Sequence, residues 1–150
     1  MCSGKNGETR NSLAVNLIDT GPIVAILDAG QGDTHRQCIE IYRQLERPVM
    51  TTLPCFTESM YFLSKLGGWP MQHTLWQLWQ RGFLLIHNTE PGEYIRMRVL
   101  MEKYHDTPMD LADASLVAAA ECLQLKSIFT LDSDFYVYRL NGVETFEVIS

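Results

Sequence analysis

The chain has 150 residues, of which 46% are hydrophobic and 20% charged. That is enough for one domain with its own core, and it excludes a disordered chain. The formal net charge of -6 excludes a non-specific nucleic-acid coat or a polybasic membrane binder, but not a nucleic-acid enzyme in which a metal supplies the local positive charge.

Residues 1–12 are polar and carry Gly4 and Gly7. They lack the apolar stretch of a signal peptide and read as a flexible leader, with the folded domain over 13–150. Val15–Ile18 is a short apolar run ending at Asp19, the first predicted strand. Thr20-Gly21-Pro22 leads into an apolar helix over Ile23–Leu27, since Pro suits a first helical position. A Gly-rich loop from Asp28 to Asp33 precedes a helix marked by Cys38, Ile41, Tyr42 and Leu45.

Pro48-Val49-Met50 is the second predicted strand. Thr51 or Thr52 can cap the next helix, which Pro54 opens. Phe56, Met60, Leu63 and Leu66 mark its buried face, and Gly67-Gly68 ends it. Leu75, Trp76, Leu78 and Trp79 suggest another helix, with the tryptophans in the core. Phe83–Ile86 is the third strand, followed by a helix through Tyr94, Met97, Leu100, Met101 and Tyr104.

Asp110 starts an Ala-rich helix with an apolar stripe of Leu116, Val117, Ala120 and Leu123. Ser127–Leu131 is the fourth strand, Asp132 to Arg139 a loop or short helix, and Phe146–Ile149 a fifth strand. Strands alternating with helices predict an α/β fold whose parallel sheet is covered on both faces.

Acidic residues recur where strands end or helices begin: Asp19, Glu58, Asp110 with Asp113, and Asp132 with Asp134. Loops at the C-terminal edge of a parallel sheet share one crevice. Each acid also has a local reading. Asp19 and the Asp132/Asp134 pair suit turns, Glu58 suits a solvated helix face, and Asp110 and Asp113 suit a helix N-terminus. Asp113 nevertheless sits among small apolar residues, where an acid is expected to face a crevice. Taken jointly, clustered carboxylates call for a cation, and an all-oxygen set suits Mg²⁺ or Mn²⁺.

At these residues the chain resembles the PIN-domain family, most closely its VapC-like toxin branch. The motifs are Leu17-Ile18-Asp19-Thr20-Gly21, the helix bearing Glu58, Met109 through Leu116, and Thr130-Leu131-Asp132-Ser133-Asp134-Phe135. The match runs from about Val15 to the C-terminus, and the last two motifs are the more specific. The resemblance implies a PIN-like α/β/α sandwich with four or five parallel strands. It also implies a Mg²⁺- or Mn²⁺-dependent ribonuclease in which the acids bind metal and water attacks an RNA phosphodiester.

Carried over by position, the implied catalytic acids are Asp19, Glu58, Asp113 and Asp132. Asp110 and Asp134 are possible additional metal ligands. Thr20 and Thr130 could hydrogen-bond the carboxylates, or serve only their turns. The resemblance further implies a small antitoxin partner and a homodimer. Trp69, Trp76 and Trp79 with Met71 would offer the antitoxin an apolar surface if they were exposed. The alternative reading is a non-catalytic PIN-like module that binds RNA or protein, and a third is a metal-dependent phosphatase or DNA nuclease.

The four cysteines, Cys2, Cys38, Cys55 and Cys122, show no CxxC spacing. Cys38, Cys55 and Cys122 read as small buried residues in a reducing cytoplasm. His35, His73, His87 and His105 share no spacing and read as structural. Lys65, Arg96, Arg98 and Lys103 read as a solvated face rather than as phosphate ligands. No GxGxxG, P-loop or GxSxG is present, so nucleotide-cofactor and serine-hydrolase chemistry lack support.

Overall fold

A computed structural model describes residues 15–150; the predicted leader lies outside them. Five parallel strands form the central sheet: β1 (Leu17–Ile18), β2 (Val49–Thr52), β3 (Leu84–His87), β4 (Ser127–Phe129) and β7 (Glu147–Ile149), in the order β3-β2-β1-β4-β7. Two further strands, β5 (Arg139–Leu140) and β6 (Glu144–Thr145), form a separate antiparallel hairpin. The helices are α1 (Thr20–Leu27), α2 (Asp33–Gln44), α3 (Leu53–Leu66), α4 (Trp69–Gln80), α5 (Pro91–Lys103) and α6 (Leu111–Leu123).

Successive strand residues face opposite sides of a sheet, and this alternation builds two cores. Leu17, Met50 and Ile128 pack with α5 and α6 residues such as Met97, Leu100, Leu116 and Val117. Ile18, Val49 and Phe129 pack on the other face with Ile23, Val24, Leu63 and Leu75. Helix α3 serves both, through Cys55 on one side and Phe56 on the other. The result is the expected α/β/α sandwich.

Several boundaries move by one to three residues. Helix α1 begins at Thr20, because Asp19 caps it by accepting from the Thr20 N–H at 2.7 Å. Strand β2 extends through Thr52. The Thr52 hydroxyl does not cap α3; it pairs with the Ser115 hydroxyl at 2.6 Å, tying β2 to α6. Strand β4 stops at Phe129 and leaves Leu131 exposed. The segment after it, read as a loop or short helix, holds a short 3-10 helix, Ser133–Tyr136.

Burial corrects three readings. On α3 the fully buried set is Cys55, Phe56, Ser59 and Leu63, while Leu66 is exposed. On α4 only Leu75 is buried, and Trp69, Trp76 and Trp79 stand at the surface rather than in the core. Cys38 and Cys55 are buried free thiols, but Cys122 is half-buried and disulfide-bonded. Among the described residues no helix is long and apolar enough to cross a membrane.

Candidate functional site

Strand order reverses at β1. The chain proceeds outward from β1 to β2 and β3, then returns to place β4 on the other side of β1. In open parallel sheets such a switch point leaves a crevice beyond the strand ends, because the flanking connections diverge to opposite faces. Asp19 follows β1 directly and Asp132 lies just beyond β4, so their segments emerge side by side there; the Asp19 N–H donates to the Phe129 carbonyl at 2.9 Å.

Helix α6 leads into the N-terminal end of β4, so its own N-terminus lies at the same edge. That brings Asp110 and Asp113 to the crevice. Glu58, on the second turn of α3, reaches it from the β2 side. One cavity of about 400 Å³ is thus lined by Asp19, Glu58, Asp110, Asp113 and Asp132, with Thr20, Gly21, Val24, Gln31, Phe62 and Leu131 completing its wall. Asp134 is not on that wall; its backbone N–H donates to Asp132 Oδ1 at 2.9 Å.

Four of the acids, Asp19, Asp110, Asp113 and Asp132, are held by neutral donors. The Thr130 hydroxyl donates to Asp19 Oδ2 at 2.8 Å. The same hydroxyl accepts from the Asp132 N–H at 3.0 Å, linking the two strand-end acids. Thr20 touches Asp19 only through its backbone; its hydroxyl turns to the Cys55 carbonyl at 3.4 Å. Asp110 and Asp113 form a reciprocal capping box at the start of α6, with N–H to carboxylate distances of 2.8 and 3.3 Å. The Tyr138 hydroxyl donates to Asp113 Oδ2 at 3.2 Å. The cap and crevice readings of this pair are therefore compatible.

The electrostatics are unfavourable for bare carboxylates. Burial raises the Asp19 pKa to about 6, against the hydrogen bonds of Thr130 and Thr20, and the charges of Asp132 and Glu58 push it the same way. Asp113 is raised to about 7 by burial and then by Asp110. Among the described residues no lysine, arginine or histidine lines the cavity. Among the described residues, no three of these acids bring ligand atoms within 4.8 Å of one another, as expected of like charges standing apart. An all-oxygen set, lacking any cationic side chain and penalised for its own charge, fits a hard divalent cation that keeps several waters.

Sequence reasoning missed Phe62, Gln31, Val24 and Leu131 as wall residues. Phe62 had a usable signal, since it lies one helical turn after Glu58. Cys55 was read only as core, yet its Sγ lies 3.9 Å from Asp19 Oδ1. Burial and that carboxylate push its thiol up to about 12.

The remaining candidates have other duties. Arg96 pairs with Glu121 at 2.7 and 2.9 Å, and Arg98 pairs with Glu102. Lys65 and Lys103 sit over the Tyr61 and Tyr104 rings. The His35 Nδ1–H donates to the Ala25 carbonyl, His73 stacks on Trp69, and His105 meets Asp106. His87 Nε2 contacts both Glu93 carboxylate oxygens at 2.8 and 2.9 Å. His87, Glu93 and Cys122 bring ligand-type atoms within 4.8 Å of one another, but Cys122 is already disulfide-bonded.

No protein-family model matches the chain, and no curated protein is similar to it in sequence. Solved structures do match in fold. The chain is similar to VapC20 of Mycobacterium tuberculosis, a sarcin–ricin loop cleaving toxin, with a TM-score of 0.74 and 14% identity over 81% of this chain and 92% of that one. A toxin–antitoxin complex from Klebsiella pneumoniae matches with a TM-score of 0.63 and 18% identity, covering 90% and 96%. VapBC2 of Rickettsia felis, bound to a fragment of its promoter DNA, matches with a TM-score of 0.61 and 10% identity, covering 89% and 98%.

Proposed function

We propose that this chain, which has a VapC-like PIN-domain fold, is a Mg²⁺- or Mn²⁺-dependent endoribonuclease, the toxin of a VapBC-type pair. One observation carries the reading. Five carboxylates from four separate segments meet at the switch point, and among the described residues no cationic side chain joins them there. That arrangement costs the fold stability unless an ion joins it.

Asp19, Glu58, Asp113 and Asp132 would hold the ion, with Asp110 beside them. Asp134 acts on Asp132 through its backbone N–H, as a positioning residue. When bound, the ion polarises a phosphodiester and lowers the pKa of water. The chain fixes the acids: Thr130 holds Asp19 and the Asp132 backbone together, and Tyr138 orients Asp113. The capping box keeps Asp110 and Asp113 on one face of α6. No side chain of the wall is placed as a nucleophile, so water must fill that role.

The same reading assigns the partners. Exposed Trp69, Trp76 and Trp79, with half-buried Met71 on the same helix, offer an antitoxin an apolar surface, as exposed aromatic clusters do at protein interfaces. RNA is the substrate, the cytoplasm the site of action, and a homodimer the working assembly.

The test is incubation of purified chain, free of antitoxin, with total cellular RNA under Mg²⁺, Mn²⁺ or EDTA, beside Asp19→Asn. Discrete cleavage that needs both metal and Asp19 is expected. Full activity of Asp19→Asn, or cleavage persisting in EDTA, would sink the assignment. Parallel DNA and phosphomonoester substrates separate this activity from a DNA nuclease or a phosphatase.

A further inference from the structure

We infer that Phe62 is the stacking platform for an unpaired nucleobase of the RNA strand whose phosphate lies at the acids. The inference rests on the ribonuclease reading and adds how the strand is held. Phe62 is 44% exposed although it is a large apolar side chain. It follows Glu58 by one turn of α3, so both side chains share a helix face, and both line the acid cavity. Its ring contact is an edge-on approach to the neighbouring Tyr61 ring, with centroids 5.7 Å apart.

Electrostatics make such a platform necessary. Among the described residues, a phosphate approaching this cavity meets carboxylates and no lysine or arginine. The ion can offset that repulsion at one phosphate, but affinity for a strand must come from elsewhere. Stacking on an aromatic ring supplies it without charge, and it tolerates any base because each has a π-face. Leu131 and Val24 give the cavity further apolar wall, and Gln31 lines it as well. A cavity of about 400 Å³ has room for a splayed-out base, the form in which single-stranded RNA presents its bases to aromatic side chains.

The test uses the full chain, a short single-stranded RNA containing a mapped cleavage site, and the same RNA with 2-aminopurine beside that site. Phe62→Ala should raise KM about tenfold, the scale of one lost base–aromatic stack, with kcat nearly unchanged. Phe62→Trp should restore KM. The 2-aminopurine fluorescence should be quenched by the parent and by Phe62→Trp but not by Phe62→Ala, and circular dichroism should show all three equally folded. Asp19-dependent cleavage with KM and quenching unchanged in Phe62→Ala would overturn this inference and leave the nuclease reading standing. Absence of any metal-dependent cleavage would overturn both. Loss of antitoxin binding in Phe62→Ala, with RNA kinetics untouched, would reassign the ring to the protein partner and overturn the inference.

Discussion

Two parts of this molecule bury carboxylates, and they do so in opposite ways. Glu93, at the start of α5, is 4% exposed; both its oxygens meet His87, and one also accepts the Glu90 N–H at 2.7 Å. Nearby, Glu121 is clamped by Arg96. Asp19 and Asp113, at 7% and 8% exposed, cap helices and have hydroxyls and N–H groups around them, but among the described residues no cationic side chain meets them. The acids of α5 and α6 that serve only the fold come with a basic partner. Those of the crevice face one another without one, the repulsion that the proposed ion would relieve.

Removing one acid from each region should break the comparison most sharply. Asp19→Asn should lower RNA cleavage more than about 100-fold, beyond the loss typical of residues that merely support ligands. Glu93→Gln should instead lower stability by about 1–3 kcal/mol in urea unfolding, the cost of weakening a buried polar contact, with cleavage per folded molecule unchanged. If Glu93→Gln abolished cleavage in folded protein, the two regions would not be separable.

Thr130→Val comes next. It deletes the hydroxyl shared by Asp19 and the Asp132 backbone. Cleavage should fall about 10–100-fold, and titration calorimetry with Mn²⁺ should show weaker binding by a similar factor.

A smaller effect should appear without metal. The folded-state pKa of Asp113 lies near 7, above its ordinary value of 3.8. Below pH 4 the group is protonated in both states and costs nothing. From there to about pH 7 the folded state holds the proton more tightly, so stability falls as pH rises, and above pH 7 the whole penalty is present. In EDTA at pH 8, Asp113→Asn should therefore melt about 2–4 °C higher than the parent, the shift that roughly 1 kcal/mol gives at this size. Mg²⁺ should reverse the order. A parent that melts higher than Asp113→Asn in EDTA would contradict an ion-dependent crevice.

The smallest effect concerns Cys55. Buried against Asp19, with its thiol pushed up to about 12, it should stay unlabelled by N-ethylmaleimide at pH 8 until urea unfolds the chain. Rapid labelling of the native protein would show that this side of the crevice opens.

The sheet was legible because each strand is a short apolar run followed by a helical period. Asp19 and Asp132 were legible as site candidates because they stand just past such runs. Glu58 was legible as one only through the family resemblance: periodicity shows that a helix has faces, but not which neighbour each face meets. The same blindness put Leu66 and the three tryptophans inside, where local spacing is right but the residues remain exposed. The hairpin at Arg139–Thr145 escaped notice because its strands are two residues long and their pairing is tertiary. Cys122 could not be read from spacing, since a disulfide depends on proximity in space.

The assembly of the crevice also sets a schedule. Asp19 is among the first described residues to be synthesised, and Asp132 arrives more than a hundred residues later on a segment beside β1. Until β4 docks, the nascent polypeptide carries a partial set of acids and an open central strand edge. A ribosome making this chain thus handles an incomplete set of acids until near the end of the domain, and anything that occupied the open edge of β1 would keep the crevice from forming.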